Sequence, residues 1–201
     1  RQDEFISIVE AMKETGIVPD FITVDGAEGG TGAAPLEFID YMGMALADGL
    51  IFVSKVLKEY GLRDQIKIMA SGKIITGFDI AKAMSLGADA CYSARGMMFA
   101  LGCIQALQCD SGKCPVGIAT QDKNLYKGLD ITDKSVRVAH FHNNTLKAFA
   151  EFIGACGFDS PKAITPDVFY RRIDHKTNES FASLFFNNYE NKTKTEKINL
   201  N

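Results

Sequence analysis

Residues 66–73 read Ile66-Lys67-Ile68-Met69-Ala70-Ser71-Gly72-Lys73, which is an apolar run that ends in a glycine turn. The run over 66–70 has the length and composition of a buried strand. An apolar helical pattern follows over about 78–86 and ends at Gly87. The order strand, glycine turn and helix recurs on both sides of this stretch. Such alternation predicts parallel strands with helical crossovers, and therefore an α/β fold.

The neighbouring units show the same signals. Residues 21–24 predict a strand that stops at Asp25-Gly26, and a glycine-rich loop then leads to one or two apolar helices ending at Tyr60. A third strand, over about 88–92, ends at Ser93-Ala94-Arg95-Gly96, and a helix starts near Met97. A helix over 4–15, with Asp3 as its N-cap, precedes all of these elements.

The pattern changes beyond Cys114. Thr132 or Ser135 is expected to cap a long amphipathic helix that ends at Gly157, and Thr165-Pro166 is a further helix start. From residue 176 onward the chain is rich in polar residues, which predicts a frayed tail. Four apolar residues within this tail are expected to dock as a short helix: Phe181, Leu184, Phe185 and Phe186. We therefore expect βα units and a cysteine-rich loop (103–121) within 1–125, a helical extension over 126–175 and a polar tail over 176–201.

Composition and charge argue against several classes of protein. The chain has 201 residues, of which 46% are hydrophobic and 23% charged, as in globular proteins. With 25 acidic and 22 basic residues it has no basic footprint for nucleic acid. No apolar run is long and uncharged enough to cross a membrane. The five unevenly placed cysteines indicate a reducing compartment, so we expect a cytoplasmic protein. Because the chain begins at Arg1 and runs straight into a helical pattern, we expect a fragment.

The three strand ends are candidate binding turns. In parallel α/β folds ligands bind at the carboxyl ends of the strands, and glycine there lets backbone N–H groups approach an anion. Any single turn of this kind is more often an ordinary tight turn. Three together indicate anion binding, since Ser71 adds a hydroxyl and Lys73 and Arg95 add positive charge.

A second candidate site is formed by Cys103, Cys109 and Cys114. The spacing lacks the close cysteine pairs of structural zinc sites. Three thiolates on a loop that ends in Cys-Pro fit an iron–sulfur cluster better, with three irons or with an open fourth iron. Free or partly buried thiols are the alternative. Cys91 and Cys156 are interpreted as small core residues.

Three linked segments, residues 29–33, 70–79 and 101–121, resemble the FMN-binding domain of glutamate synthases. The last is the most specific, because the cysteine spacing agrees with the continuation Cys-Pro-Val-Gly-Ile-Ala-Thr-Gln over 114–121. The resemblance covers about 16–125 and continues more weakly to Gly157. It implies a (β/α)₈ TIM barrel, of which this chain supplies the C-terminal portion, the last three βα units, plus a helical C-terminal extension. The N-terminal part of that barrel would then be a missing partner.

The resemblance also implies cofactors. FMN would lie at the carboxyl ends of the strands, with its phosphate at the backbone of two turns: Ser71, Gly72 and Lys73, and Ala94, Arg95 and Gly96. Gly29, Gly30 and Thr31 would border the flavin and the substrate pocket. Cys103, Cys109 and Cys114 would hold a 3Fe-4S cluster that delivers electrons to the flavin. No catalytic residue is assigned, because the strands expected to carry such residues are absent from this chain.

The implied reaction is hydride transfer from reduced FMN to 2-iminoglutarate, formed from 2-oxoglutarate and ammonia, which gives glutamate. Ferredoxin or an NAD(P)H-dependent subunit would supply the electrons. Ala27-Glu28 and Lys73 depart from the family's usual pattern and resemble shorter glutamate-synthase-like proteins without a glutamine amidotransferase domain. Two alternatives stay open. One is an FMN-dependent barrel oxidoreductase with another substrate, such as a hydroxyacid oxidase or a nucleotide dehydrogenase. The other is an inactive fragment that acts only structurally, since an isolated sheet has open edges.

Overall fold

The computed structural model describes residues 1–29, 37–38 and 41–187. Its main elements alternate between helices and strands: α1 (Gln2–Thr15), β1 (Phe21–Asp25), α2 (Leu46–Glu59), β2 (Lys67–Ser71), α3 (Gly77–Ser85), β3 (Ala90–Tyr92) and α4 (Arg95–Leu101). The C-terminal part contains α5 (Lys123–Tyr126), α6 (Ile131–Ala155), 3₁₀ turns at Pro161–Ala163 and Pro166–Val168, β4 (Tyr170–Arg172), β5 (Asn178–Ser180) and a π-helical turn at Ser183–Asn187.

The three central strands form one parallel sheet in the order β1-β2-β3. Ile22 is paired with Ile68, and Ala70 with Cys91. Each strand is followed by a helix, so the structure confirms the α/β fold class, and the three consecutive βα units are those expected of a portion of a (β/α)₈ barrel.

The hydrophobic core lies between the sheet and α2, which packs against β1 and β2. Leu50 and Leu57 of α2 are fully buried, as are Ile66 and Ile68 in and beside β2. A strand that is buried in this way has a nearly continuous apolar sequence, which explains why the run over residues 66–70 predicts a strand. On the β3 side, α3 packs on the strand, and α6 packs across α3 and α4.

Helix starts differ from the predictions at two places. Asp3 lies inside the first turn of α1, whose N-cap is Arg1, and its carboxylate pairs with the Arg1 guanidinium at 2.6 Å. That partner lowers the pKa of Asp3. Asp130, rather than Thr132 or Ser135, caps α6 and accepts a hydrogen bond from the Asp133 N–H at 2.8 Å. A carboxylate at this position also interacts favourably with the helix dipole.

The C-terminal segment contains a hairpin that the sequence did not predict. Strands β4 and β5 pair antiparallel, so residues 178–180 are not frayed. The connecting turn is closed by Asp174, whose carboxylate accepts hydrogen bonds from the N–H groups of Lys176 and Thr177. The Thr165-Pro166 start produces only the short 3₁₀ turn at Pro166–Val168.

Aromatic side chains connect this hairpin to the rest of the molecule. Phe169 is buried and lies 5.6 Å from Phe78, 5.7 Å from Phe152 and 5.7 Å from Phe181, measured between ring centroids. Phe185 and Phe186 pack against the main core, as the predicted docking of this segment requires. The part of the predicted tail over 188–201 lies outside the described residues. In the part of the chain that the structure describes, every helix is too short or too polar to be a membrane span.

Candidate functional site

The carboxyl ends of the three strands meet at one edge of the sheet. Asp25 of β1 is the register partner of Ser71 of β2, and Ser71 is the partner of Tyr92 of β3. The N–H of Gly26 donates to the Ser71 carbonyl oxygen at 2.7 Å, which extends the ladder one residue beyond β1. The chain segments that follow the strands are thereby held side by side.

A cavity of about 770 Å³ opens at this edge. Nine of the predicted site residues line it: Gly29, Ser71, Gly72, Lys73, Ala94, Arg95, Cys103, Cys109 and Cys114. Gly96 does not line the cavity, because it is buried at the start of α4, where an added Cβ would lie 2.8 Å from Ser93 Oγ. Gly30 and Thr31 lie outside the described residues.

The turn after β2 has an unusual backbone. Gly72 has a φ of 150° and Lys73 a φ of 48°, and both values lie in the region that favours glycine. A lysine with a positive φ is uncommon and costs conformational energy. Gly72 lines the cavity and has no side chain, so its main chain forms this part of the wall.

The other lining residues explain which ligand the cavity suits. Among the residues that the structure describes, its charged side chains are Asp25, Lys73 and Arg95. Much of the remaining wall is apolar: Phe38, Met42, Tyr92, Met98, Phe99, Ile104, Leu107 and Val116. A large cavity that combines apolar side chains, two cationic groups and glycine turns suits a ligand with a planar apolar part and an anionic group.

Cys114 has the surroundings of a stabilised thiolate. Its burial would raise the pKa of the thiol, but hydrogen bonds from the backbone of Ala119, Val116, Ile118 and Gly117 reverse this and lower it. Cys103 Sγ accepts a hydrogen bond from the Gln105 N–H at 3.5 Å. Thiolates that accept N–H hydrogen bonds are typical ligands of iron–sulfur clusters, so the chemistry of these cysteines is suited to binding such a cluster.

The arrangement of the thiols is nevertheless not that of a single-ion site. Within 1–29, 37–38 and 41–187, no group of three or more His, Cys, Asp or Glu side chains is arranged to hold a metal ion. All three sulfur-bearing residues line the same cavity. A multi-iron cluster differs from a single ion in that its cysteines bind different irons, so its ligands stand farther apart.

One functional feature is not evident from the sequence alone. Tyr92, Met98 and Phe99 line the cavity, although the sequence suggested only strand and helix positions for them. Their place at the carboxyl end of β3 and in the following helix could have indicated this. Burial raises the pKa of the Cys91 thiol to about 11, as expected for a core cysteine rather than a ligand.

Comparison with known proteins adds an independent observation. A family model described as the conserved region in glutamate synthase matches residues 5–159. The glutamate synthase large subunit-like protein YerD of Bacillus subtilis is 43% identical over 173 residues, which are 86% of this chain and 33% of that protein. The archaeal glutamate synthase (NADPH) of Methanocaldococcus jannaschii is 41% identical over 145 residues, 72% of this chain and 28% of that protein.

The chain therefore spans about a third of the length of the curated relatives it matches. Among solved structures, a flavocytochrome b2 variant with sulfite bound matches this chain with a TM-score of 0.44 and 17% sequence identity. The match covers 81% of this chain and 38% of the flavocytochrome chain. At this level the similarity says nothing about the reaction.

Proposed function

The chain belongs to the glutamate synthase family. We propose that its cavity is the FMN site of an oxidoreductase of glutamate synthase type. The observation that carries the proposal is the convergence of three strand-end segments on one cavity of about 770 Å³. Its glycine turns, its two cationic side chains and its apolar wall match the phosphate and the ring system of a flavin.

We assign the FMN phosphate to the backbone of two turns: Ser71, Gly72 and Lys73 after β2, and Ala94, Arg95 and Gly96 at the start of α4. Five of these residues line the cavity, and Gly96, the next residue along the chain after Arg95, is buried. Lys73 and Arg95 supply positive charge beside the phosphate. Gly29, Gly30 and Thr31 are assigned to the border of the flavin, Gly29 from its place in the cavity and the other two from the family resemblance.

When bound, FMN supplies hydride transfer, and the protein's part is to bind, orient and shield it. The proposed reaction reduces 2-iminoglutarate, which forms from 2-oxoglutarate and ammonia, to glutamate. Tyr92, Met98 and Phe99 would exclude water from the apolar part of the cavity. We assign no catalytic acid or base within this chain.

We further propose that Cys103, Cys109 and Cys114 ligate a 3Fe-4S cluster next to the FMN site. Support comes from their position on one cavity and from the N–H hydrogen bonds to Cys103 and Cys114. Such a cluster supplies one-electron relay when bound. The proposed electron donor is ferredoxin or an NAD(P)H-dependent subunit, the remaining barrel strands are the structural partner, and the proposed compartment is the cytoplasm.

The test uses the full-length gene product that contains this sequence. Anaerobic purification should yield a yellow protein with one FMN per chain, identified by chromatography of the released cofactor. Adding 2-oxoglutarate, ammonia and a reductant should produce glutamate, and omitting ammonia should abolish it. Turnover of a 2-hydroxy acid without glutamate formation would favour another FMN-dependent oxidoreductase. A folded, colourless protein that binds no added FMN would overturn the proposal.

A further inference from the structure

Glu28 makes a contact that links the cavity to the core. Its carboxylate accepts hydrogen bonds from the backbone N–H of Leu46, at 3.0 Å to Oε1 and 2.9 Å to Oε2. Leu46 is the first residue of α2, and the N-cap residue Ala45 has no side chain that can accept. Glu28 therefore supplies the acceptor that the N-terminus of α2 lacks, and its negative charge suits that end of the helix.

The same carboxylate lies directly behind the cavity wall. A Cβ added to Gly26 would lie 2.2 Å from Glu28 Oε2, and one added to Gly72 would lie 3.3 Å from that atom. Both glycines line the cavity, whereas Glu28 does not. Glycine at these positions leaves the space that the carboxylate fills.

The segment after β1 is thus fastened at three points. Gly26 N–H donates to the Ser71 carbonyl oxygen at 2.7 Å, and Ala27 N–H donates to the Met44 carbonyl oxygen at 2.8 Å. Glu28 completes the set through Leu46. Of the three, it is the one made by a side chain, so substitution can remove it while leaving the backbone intact.

We propose that Glu28 is a positioning residue for the cofactor cavity, an inference that rests on the proposed function. It holds the segment Gly26–Gly29 and the Gly72 turn in the arrangement that binds FMN, without touching FMN itself. Removing the carboxylate leaves the first N–H of α2 without its acceptor and frees the segment from α2. The wall then becomes less ordered, and FMN must order it at the expense of affinity.

The experiment measures FMN dissociation constants of the full-length apoprotein by quenching of flavin fluorescence. Glu28→Ala should weaken binding by about tenfold, the effect of one lost hydrogen bond to a charged group. Glu28→Gln should restore most of the affinity, because its amide oxygen still accepts from Leu46. Glu28→Asp should bind more weakly than Glu28→Gln, because the shorter side chain does not reach. Glu14→Ala, which removes an exposed carboxylate from α1, is the control and should match the wild type.

A purely structural role is separated by two further readouts. Thermal unfolding of each apoprotein reports stability, and the turnover number at saturating FMN reports whether the assembled site is intact. Positioning predicts a raised dissociation constant with a nearly unchanged turnover number. If Glu28→Ala fails to fold, the FMN affinities of Glu28→Gln and Glu28→Asp test the proposal instead, and positioning predicts weaker binding by Glu28→Asp. Wild-type affinity in all three Glu28 variants would overturn this inference, whereas a wild-type protein that binds no FMN would overturn the proposed function beneath it.

Discussion

Asp25 and Ser71 are direct partners across the parallel β1–β2 pair, and both line the cavity at the carboxyl edge of the sheet. This register places the segment after β1 beside the turn after β2, so residues far apart in sequence form one wall. Because successive strands are parallel, the third turn reaches the same edge. The candidate site is therefore a consequence of strand direction as much as of residue type.

The first prediction concerns Gly72→Ala. Gly72 has a φ of 150°, and a Cβ there would lie 3.3 Å from both Glu28 Oε2 and Leu46 Cβ. Alanine is strained at this φ, and its tight neighbours must give by a few tenths of an ångström, so we expect FMN affinity to fall by about tenfold, which corresponds to about 1.4 kcal/mol. Titration of the apoprotein with FMN measures the change.

Gly16→Ala is the matched control for that variant. Gly16 also has a left-handed φ, of 68°, but no atom lies within 4 Å of an added Cβ. It should lower stability without changing FMN affinity. Equal FMN affinities for Gly72→Ala and the wild type would show that the β2 turn is not part of the binding site.

The second prediction concerns the cysteines. Replacing Cys103, Cys109 or Cys114 by serine should lower the iron content of anaerobically purified full-length protein and reduce its broad visible absorbance. Cys156→Ser is the control, since Cys156 does not line the cavity. Iron that persists when all three cysteines are replaced would contradict the assignment.

The central sheet was predictable because its signals are local. The strand over 66–70 reads as an apolar run, and Gly72 and Gly87 mark where the flanking segments turn. Helix starts were harder, because Asp130, Thr132 and Ser135 are all good capping residues close together in sequence. In the structure the helix begins at Ile131, which places Asp130 rather than Thr132 or Ser135 in the capping position.

Long-range contacts explain what the sequence analysis missed. Strands β4 and β5 are short and polar, with no alternating pattern, and their position depends on packing around Phe169. The sequence shows Glu28 only as a departure from the family pattern, because its partner Leu46 lies 18 residues further along the chain. The placement of the cysteines around the cavity likewise depends on backbone conformations at Gln105 and Leu107, both with positive φ, that sequence patterns do not predict.

The third prediction tests the contact between α3 and α6. A Cβ on Gly77 would lie 2.5 Å from the Phe149 backbone N and 2.9 Å from its Cα. Gly77→Ala should therefore lower the free energy of unfolding by about 1–3 kcal/mol through overpacking. Chemical denaturation measures this.

Gly154→Ala, in α6 with open space around its added Cβ, is the control and should raise stability by about 0.5–1 kcal/mol because alanine favours helix. A destabilisation by Gly154→Ala as large as that by Gly77→Ala would mean that the close α3–α6 approach is not the cause.

The fourth prediction tests the aromatic cluster under the C-terminal hairpin. Phe169 is only 3% exposed and contacts three other phenylalanine rings, so Phe169→Ala should lower the free energy of unfolding by about 3–5 kcal/mol. Tyr170→Ala removes a neighbouring ring that is 68% exposed and should change stability by about 0.5 kcal/mol or less. Similar losses of unfolding free energy in the two variants would contradict a specific stabilising role of the buried Phe169 ring.

The fifth prediction concerns pH. Burial raises the pKa of Cys91 from 9.0 to about 11, so between these values the folded protein retains a proton that the unfolded chain has lost. The contribution of the neutral thiol to stability is complete below pH 9.0 and decreases as the pH rises towards about 11. Unfolding measured across this range should show a smaller pH-dependent loss for Cys91→Ala than for the wild type. An identical slope in the two proteins would contradict the burial of this thiol.

The most direct measurement is a crystal structure of the full-length protein with FMN bound. In that structure the phosphate should accept hydrogen bonds from backbone N–H groups of both the Ser71–Lys73 turn and the Ala94–Gly96 turn. A phosphate bound elsewhere, or density for FMN outside the cavity at the ends of β1, β2 and β3, would contradict this prediction.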